Sequence, residues 1–170
     1  MLIMITGLPG SGKTTFAKAL AGSLNAVHLN TDIIRDSMGK RGKYDEASKS
    51  MIYAKILKQT ESYLHRGEDV VVDATFYKAA LRKPYKQLAK KYKKQLFWFF
   101  VTAAESIIKE RMQQKRQFSE ADFEVYLTIK DIYEPLEERH LILHSDREVV
   151  DKMIIKAREY LSLAPFQMTS

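Results

Sequence analysis

The residues with the most evident chemistry lie in the stretch Gly7-Leu-Pro-Gly-Ser-Gly-Lys13-Thr14-Thr15. Gly7 to Thr14 fit G-x-x-x-x-G-K-[ST] at every fixed position. Gly7, Gly10 and Gly12 carry no Cβ, so the backbone can turn tightly and aim successive N–H groups at phosphate oxygens. Lys13 adds a point charge for the β- and γ-phosphates, and the Thr14 hydroxyl suits a Mg²⁺ ligand. Pro9, Ser11 and Thr15 complete the nucleotide-binding set. The flanks agree with this chemistry. Met1–Thr6 reads as a short apolar strand, and Phe16, Leu20 and Leu24 then recur at helical spacing, so a helix dipole points its positive end at the phosphates. The loop is read as a binding site for a nucleoside triphosphate.

Three further clusters can serve such a site. In His28-Leu-Asn-Thr-Asp32-Ile-Ile-Arg35, Asp32 and Arg35 are three apart, on one face of a helix that begins where a strand ends. A carboxylate there can take the proton of an attacking hydroxyl, and the arginine can hold a phosphate or the substrate. A helix-capping Asp32 with a surface Arg35 fits the same spacing. In Val70-Val-Val-Asp73-Ala-Thr75, the aspartate follows a buried apolar strand, the position of a Walker-B-type carboxylate within reach of Mg²⁺ or its waters. A solvated strand end is the alternative. Arg111 and Arg116, in a polar segment after a later strand, can close over the phosphates as a lid at about residues 111–120. A solvated helix face is the alternative for each.

The elements that must position these residues follow from hydrophobic patterning. Strand-length apolar runs alternate with longer helical patterns, which argues for an α/β fold with a parallel sheet covered on both faces. Strands are expected at residues 26–30, 69–73, 96–102 and 140–144. Helices are expected at 32–38, 44–66, 79–93 and 105–114, from a capping box at 119–122 to 132, and in a last segment marked by Val150, Met153, Ile154, Ala157 and Leu161. One domain over residues 1–162 and a loose tail over 163–170 are expected.

Bulk properties bound the rest. The 170 residues suffice for one domain with a sizeable core, and the 45% hydrophobic and 29% charged fractions are ordinary for a globular protein. With no cysteine, disulfides and thiolate metal sites are excluded, which fits a reducing cytoplasm. The apolar start is too short for a signal peptide and Leu96–Ala104 too short to span a bilayer. A net charge of +7 suggests an anionic partner, which a nucleotide partly accounts for.

Taken in order, G-L-P-G-S-G-K-T-T, N-T-D-I-I-R, V-V-D-A-T and the arginine-rich segment resemble the small P-loop kinases. That family includes polynucleotide 5′-kinases, zeta-toxin-like and chloramphenicol-phosphotransferase-like enzymes. The resemblance spans nearly the whole chain. It implies a three-layer α/β/α fold of the nucleotide-kinase type with a five-stranded parallel sheet, and ATP with Mg²⁺ as cofactors. The guanine motif N-K-x-D is absent, so ATP is expected rather than GTP. The resemblance also implies that Asp32 is the general base and that Arg35 assists acceptor binding. Asp73 and Thr75 would lie near the acceptor, and Arg111 and Arg116 would be the lid arginines. In one respect the chain departs: relatives that act on nucleic acids often carry asparagine after D-A-T, and here the residue is Phe76. The acceptor can thus be a polynucleotide 5′-hydroxyl or a small hydroxylated metabolite.

Lys78, Arg82, Lys83, Lys86, Lys90, Lys91, Lys93 and Lys94 fall in a stretch without a single carboxylate, with Tyr77, Tyr85 and Tyr92 interspersed. Such a stretch can track a nucleic acid. The spacing of Tyr85, Leu88 and Tyr92 favours core packing, and the lysines suit a plain solvent face. His140 and His144 flank a strand and are read as structural. Two readings outside catalysis compete: an ATP-driven switch module, and a nucleic-acid-binding protein with a regulatory nucleotide site. The Asp32/Arg35 pair speaks for a kinase, because a switch needs no base to activate a hydroxyl.

Overall fold

A computed structural model describes residues 1–39, 45–113 and 123–163. The described elements are β1 (Leu2–Thr6), α1 (Lys13–Leu24), β2 (Val27–Asn30), α2 (Thr31–Ser37), α3 (Glu46–His65), β3 (Val70–Asp73), α4 (Ala79–Lys91), β4 (Leu96–Thr102), α5 (Glu105–Gln113), α6 (Phe123–Asp131), β5 (His140–His144) and α7 (Val150–Ser162). The strands form one five-stranded sheet in the order β2-β3-β1-β4-β5, and every pair is parallel.

β1 is the centre of this sheet and is buried along its whole length. Its side chains alternate between two cores, as strand geometry requires. Leu2 and Met4 join Leu29, Val70, Val72 and Trp98 beneath Ile52 and Ile56 of α3 and Tyr85 and Leu88 of α4. Ile3 and Ile5 join Val71, Phe97, Phe99 and Val101 beneath Phe16 and Leu20 of α1 and Met153 and Ala157 of α7. The sheet is therefore the middle of three layers. Each such side chain contributes roughly 1.5–3 kcal/mol by leaving water.

The helix ends follow local chemistry. α1 stops at Asn25, which takes the left-handed conformation (φ 53°) that asparagine tolerates. Gly67 (φ 85°) ends α3 in the same way, at the glycine expected to stop it. α4 ends at Lys91, two residues before its expected limit. There Lys93 turns left-handed (φ 51°) while the Lys94 N–H donates back to the Ala89 carbonyl. α5 ends at Gln113, and α6 begins at Phe123. Most of the expected lid, Arg116 and the capping box at 119–122 lie outside the described residues.

This topology creates a crevice. The connection leaving β1 crosses by α1 on one face, whereas the connection leaving β3 crosses by α4 on the other. The carboxyl ends of the neighbouring strands β1 and β3 consequently part, and ligands of parallel α/β sheets bind at such a point.

Candidate active site

The loop from β1 to α1 opens onto that crevice. Gly12 takes φ 88°, and a Cβ there would stand 2.9 Å from Ser145 Oγ. At Gly7 (φ 148°) a Cβ would collide with the Val101 carbonyl oxygen. Only glycine meets both demands. Pro9 and Lys13 line the crevice, and Lys13 Nζ lies 3.5 Å from the Leu8 carbonyl, folded back over the loop. Ser11 is buried and Thr15 exposed.

Beside the loop, β2 and β3 end in register, with Asn30 opposite Asp73. Both side chains are buried, and Asn30 satisfies every polar group it has. Its Nδ2 donates to Asp73 Oδ2 at 2.5 Å and to Thr14 Oγ1 at 3.3 Å. Its Oδ1 accepts the N–H groups of Asp32 (2.7 Å) and Ile33 (3.0 Å), capping α2. The cap is therefore Asn30, and Asp32 is left with its carboxylate facing the crevice.

Asp73 Oδ1 is buried and unpartnered, while His28 Nε2 lies 3.5 Å from Oδ2. An orphaned carboxylate oxygen beside the Thr14 hydroxyl is the hard-oxygen pairing that suits Mg²⁺ or its water shell. Among the described residues no group of three His, Cys, Asp or Glu residues is placed to hold a metal. Mg²⁺ shared between Thr14, Asp73 and nucleotide phosphates would require none.

Asp32 accepts a 2.8 Å bond from Arg35 Nη1 at Oδ1, and Arg35 is itself buried. Burial raises the Asp32 carboxyl above the usual carboxylate range, and the charges of Lys13 and Arg35 oppose that rise. The loop lysine and the candidate base thus act on each other electrostatically across the same crevice.

The opposite wall comes from α3, the β3–α4 loop and α6: Lys49, Tyr53, Thr75, Tyr77, Val125 and Ile129. Thr75 is fixed through its backbone. Thr6 Oγ1 donates to the Thr75 carbonyl at 2.6 Å, so its 2.7 Å bond with Tyr133 must use the Tyr133 proton. Phe76, the residue that departs from the nucleic-acid pattern, is left-handed (φ 49°) and fully buried. Its ring packs against Tyr85, Tyr53 and Trp98 at 5.2, 5.8 and 6.0 Å between centroids. It therefore gives its side chain to the core, while its neighbours Thr75 and Tyr77 face the crevice.

Arg111 lies on the outer side of the phosphate loop. Its Nη1 donates to Ser145 Oγ (2.8 Å) and approaches the Gly10 carbonyl (3.5 Å), and its Nη2 donates to the Ser145 carbonyl (2.9 Å). The sequence reading missed both Ser145 and Asn30. The Asn-Thr-Asp run at a strand end is a capping signal that points to Asn30. Nothing local marks Ser145.

Of the basic stretch, Lys78 stands over the ring of Tyr77 at 5.6 Å, and other members serve elsewhere. Arg82 is buried and donates to the Glu134 carbonyl at 3.2 Å. Lys86 pairs with Glu138, and Lys91 pairs with Glu61 at 2.7 Å. Lys94 donates to the Gly67 carbonyl at 2.7 Å, beside the amino end of β3 and thus at the sheet edge opposite the loop. Tyr85 is in the core and Tyr92 packs against it, as the spacing suggested, and the Tyr92 hydroxyl also donates to Glu61. His140 Nδ1 is bonded to the Glu138 carbonyl. Among the described residues no helix is long and apolar enough to cross a membrane.

A family model described as an AAA domain, AAA_33, matches residues 2–136. Among solved structures the chain is similar to a gluconokinase from Sinorhizobium meliloti: 19% identity, 95% of this chain and 97% of that one, TM-score 0.69. It is also similar to the Mycobacterium tuberculosis APS kinase CysC in complex with AMPPNP and APS: 18% identity, 95% and 96% coverage, TM-score 0.71. A third is Chaetomium thermophilum Kti12 in complex with ADP-AlF3: 20% identity, 94% and 98% coverage, TM-score 0.73. The shared property is the fold, that of the small P-loop kinases.

Proposed function

The chain belongs to the AAA_33 family of AAA domains, and from that premise we propose that it is an ATP-dependent kinase of a small hydroxylated acceptor. The observation that carries this reading is a single crevice with Pro9 and Lys13 of the phosphate loop at one end and the Asp32/Arg35 pair at the other. The kinases among its structural neighbours support the same reaction class.

ATP binds along residues 7–15. Asp32 takes the proton of the acceptor hydroxyl, whose oxygen forms a bond to the γ-phosphorus as the bond to the β–γ bridging oxygen breaks and ADP leaves. Arg35 holds Asp32 through Oδ1 and favours its ionised form against the opposing effect of burial. Lys13 stabilises charge on the transferred group. Thr14 and Asp73 would hold Mg²⁺, which would neutralise phosphate charge when bound. Residues 1–162 act as one kinase domain.

The wall opposite the loop suits a small acceptor that carries an anionic group beside its hydroxyl. Its two tyrosines and two aliphatic side chains are joined by the cation of Lys49. Among the described residues that ammonium pairs with Glu46, whose side chain is 75% exposed, so an acceptor anion can displace the carboxylate at little cost. Of the basic stretch only Lys78, over the Tyr77 ring, stands beside a described crevice residue, while Lys86 and Lys91 are paired with Glu138 and Glu61, which is why a polynucleotide ranks behind a metabolite.

The experiment supplies Mg²⁺ and γ-labelled ATP with gluconate, glucose, ribose 5-phosphate, ribose and 5′-hydroxyl oligonucleotides, with Asp32→Ala alongside. Label on a small acceptor that disappears in the mutant is the expected result. Label on the oligonucleotide would move the acceptor to nucleic acid. Labelled phosphate released into water, with no acceptor labelled and Asp32→Ala unaffected, would replace the kinase by an ATPase.

A further inference from the structure

A loop that turns its N–H groups inward on an anion must turn carbonyls outward, and half-buried carbonyls need donors. Here those donors come from parts of the chain more than a hundred residues away. Ser145 Oγ donates to the Ser11 carbonyl at 2.6 Å while accepting from Arg111 Nη1 at 2.8 Å. Arg111 adds the longer contact to the Gly10 carbonyl and the bond to the Ser145 carbonyl. Ser145 is itself anchored, because its N–H donates to the Thr102 carbonyl at the end of β4 (2.9 Å). The turn after β5 is thus tied to the sheet, the serine to the turn, and the loop to the serine. The close approach at Gly12, where a Cβ would meet Ser145 Oγ at 2.9 Å and Arg111 Nη1 at 3.4 Å, leaves no slack in this contact.

We infer that Ser145, acting with Arg111, is a positioning residue that braces the phosphate-binding loop from outside and so sets its affinity for the polyphosphate chain. This rests on the reading of residues 7–15 as a nucleotide site. The brace touches no phosphate: it orients the amides that do. Ser145→Ala leaves the Ser11 carbonyl without its donor and removes the acceptor that holds Arg111, so the loop relaxes and its amides diverge.

The test is calorimetric titration of the full chain with ATP·Mg²⁺ and, separately, with inorganic triphosphate, which has no base or ribose. Ser145→Ala should weaken both ligands alike, by about tenfold for one strong hydrogen bond lost, while the ligand-free protein still unfolds cooperatively with a melting temperature lower by no more than about 10 °C. Weakening of ATP without weakening of triphosphate would place Ser145 at the base or ribose and overturn the brace. Unchanged binding of both would overturn it too. Should Ser145→Ala fold poorly, Arg111→Lys must show the same parallel loss, since lysine cannot make the forked contact. Undiminished triphosphate affinity in that variant counts against the brace. The double variant should lose little more than the worse single one, because the two residues act as one unit; additive losses would mean they act independently. A wild-type chain that binds neither ligand would overturn the nucleotide reading, and the brace with it.

Discussion

The two ends of the crevice are built from different materials. The loop end is backbone: three glycines, a helix N-terminus and one lysine, contiguous from Gly7 to Thr14. The acceptor end is side chain: Asp32 and Arg35 from α2, Lys49 and Tyr53 from α3, Thr75 and Tyr77 from the β3–α4 loop, and Val125 and Ile129 from α6. A backbone cradle recognises a group common to all nucleoside triphosphates. Side chains gathered from several elements can be exchanged one at a time without disturbing the fold. The first end therefore selects the phosphate donor, and the second supplies the base and the specificity for the acceptor.

Paired substitutions would break that division most directly. Asp32→Ala should cut phosphoryl transfer by about 10²–10⁴-fold, the usual contribution of a general base, with ATP affinity nearly intact. Lys13→Ala should lose both. Equal weakening of ATP binding in the two mutants would show that the ends are one unit. A smaller effect is expected from Lys49→Met, which keeps the stem of the side chain and removes its charge. An anionic acceptor should show a KM raised about tenfold, roughly the value of one charge-assisted hydrogen bond, while a neutral one and ATP are unaffected. Equal changes for neutral and anionic acceptors would remove Lys49 from the specificity wall.

The pH profile sharpens the role of Arg35. Asp32 must be ionised to act as a base, so activity falls as pH drops through its raised pKa. Arg35 lowers that pKa, both by its charge and by its hydrogen bond. In Arg35→Met the acid limb of kcat should therefore move to higher pH. A limb that stays in place would mean that another group controls it. Least of all should happen at Lys90→Ala and Lys93→Ala, exposed positions at the far end of α4. Activity should change less than twofold and stability by no more than about 0.5 kcal/mol. A large loss of activity on oligonucleotides alone would restore the polynucleotide reading.

The pattern of strands and helices was legible because hydrophobic periodicity is local. Residues 96–102 and 140–144 are strands with the expected limits, and β3 differs by one residue from its expected start. The α3 stop at Gly67 was equally plain, since a left-handed cap favours glycine. The α4 stop was not, because a lysine fills the left-handed position there, and nothing in its residue type announces it. Arg82 likewise reads as one more charge in a basic run, yet it is a buried strut under the Glu134 carbonyl. Its burial depends on the 133–139 segment, which is distant in the chain.

By itself, the order of residues determined the loop, the alternation of strands and helices, and the identity of Asp32 and Asp73 as the carboxylates worth watching. Those properties depend on backbone freedom and on periodicities of a few residues, which neighbours in the chain control. Tertiary structure alone decided that Asn30 would bridge Thr14 and Asp73 while capping α2, and that Phe76 would turn into the core. It also decided that Ser145 would stand behind the loop. These depend on which strands become neighbours and in what register. Parallel pairing brings together residues 43 positions apart at Asn30 and Asp73 and 134 apart at Ser11 and Ser145, beyond the reach of any local pattern.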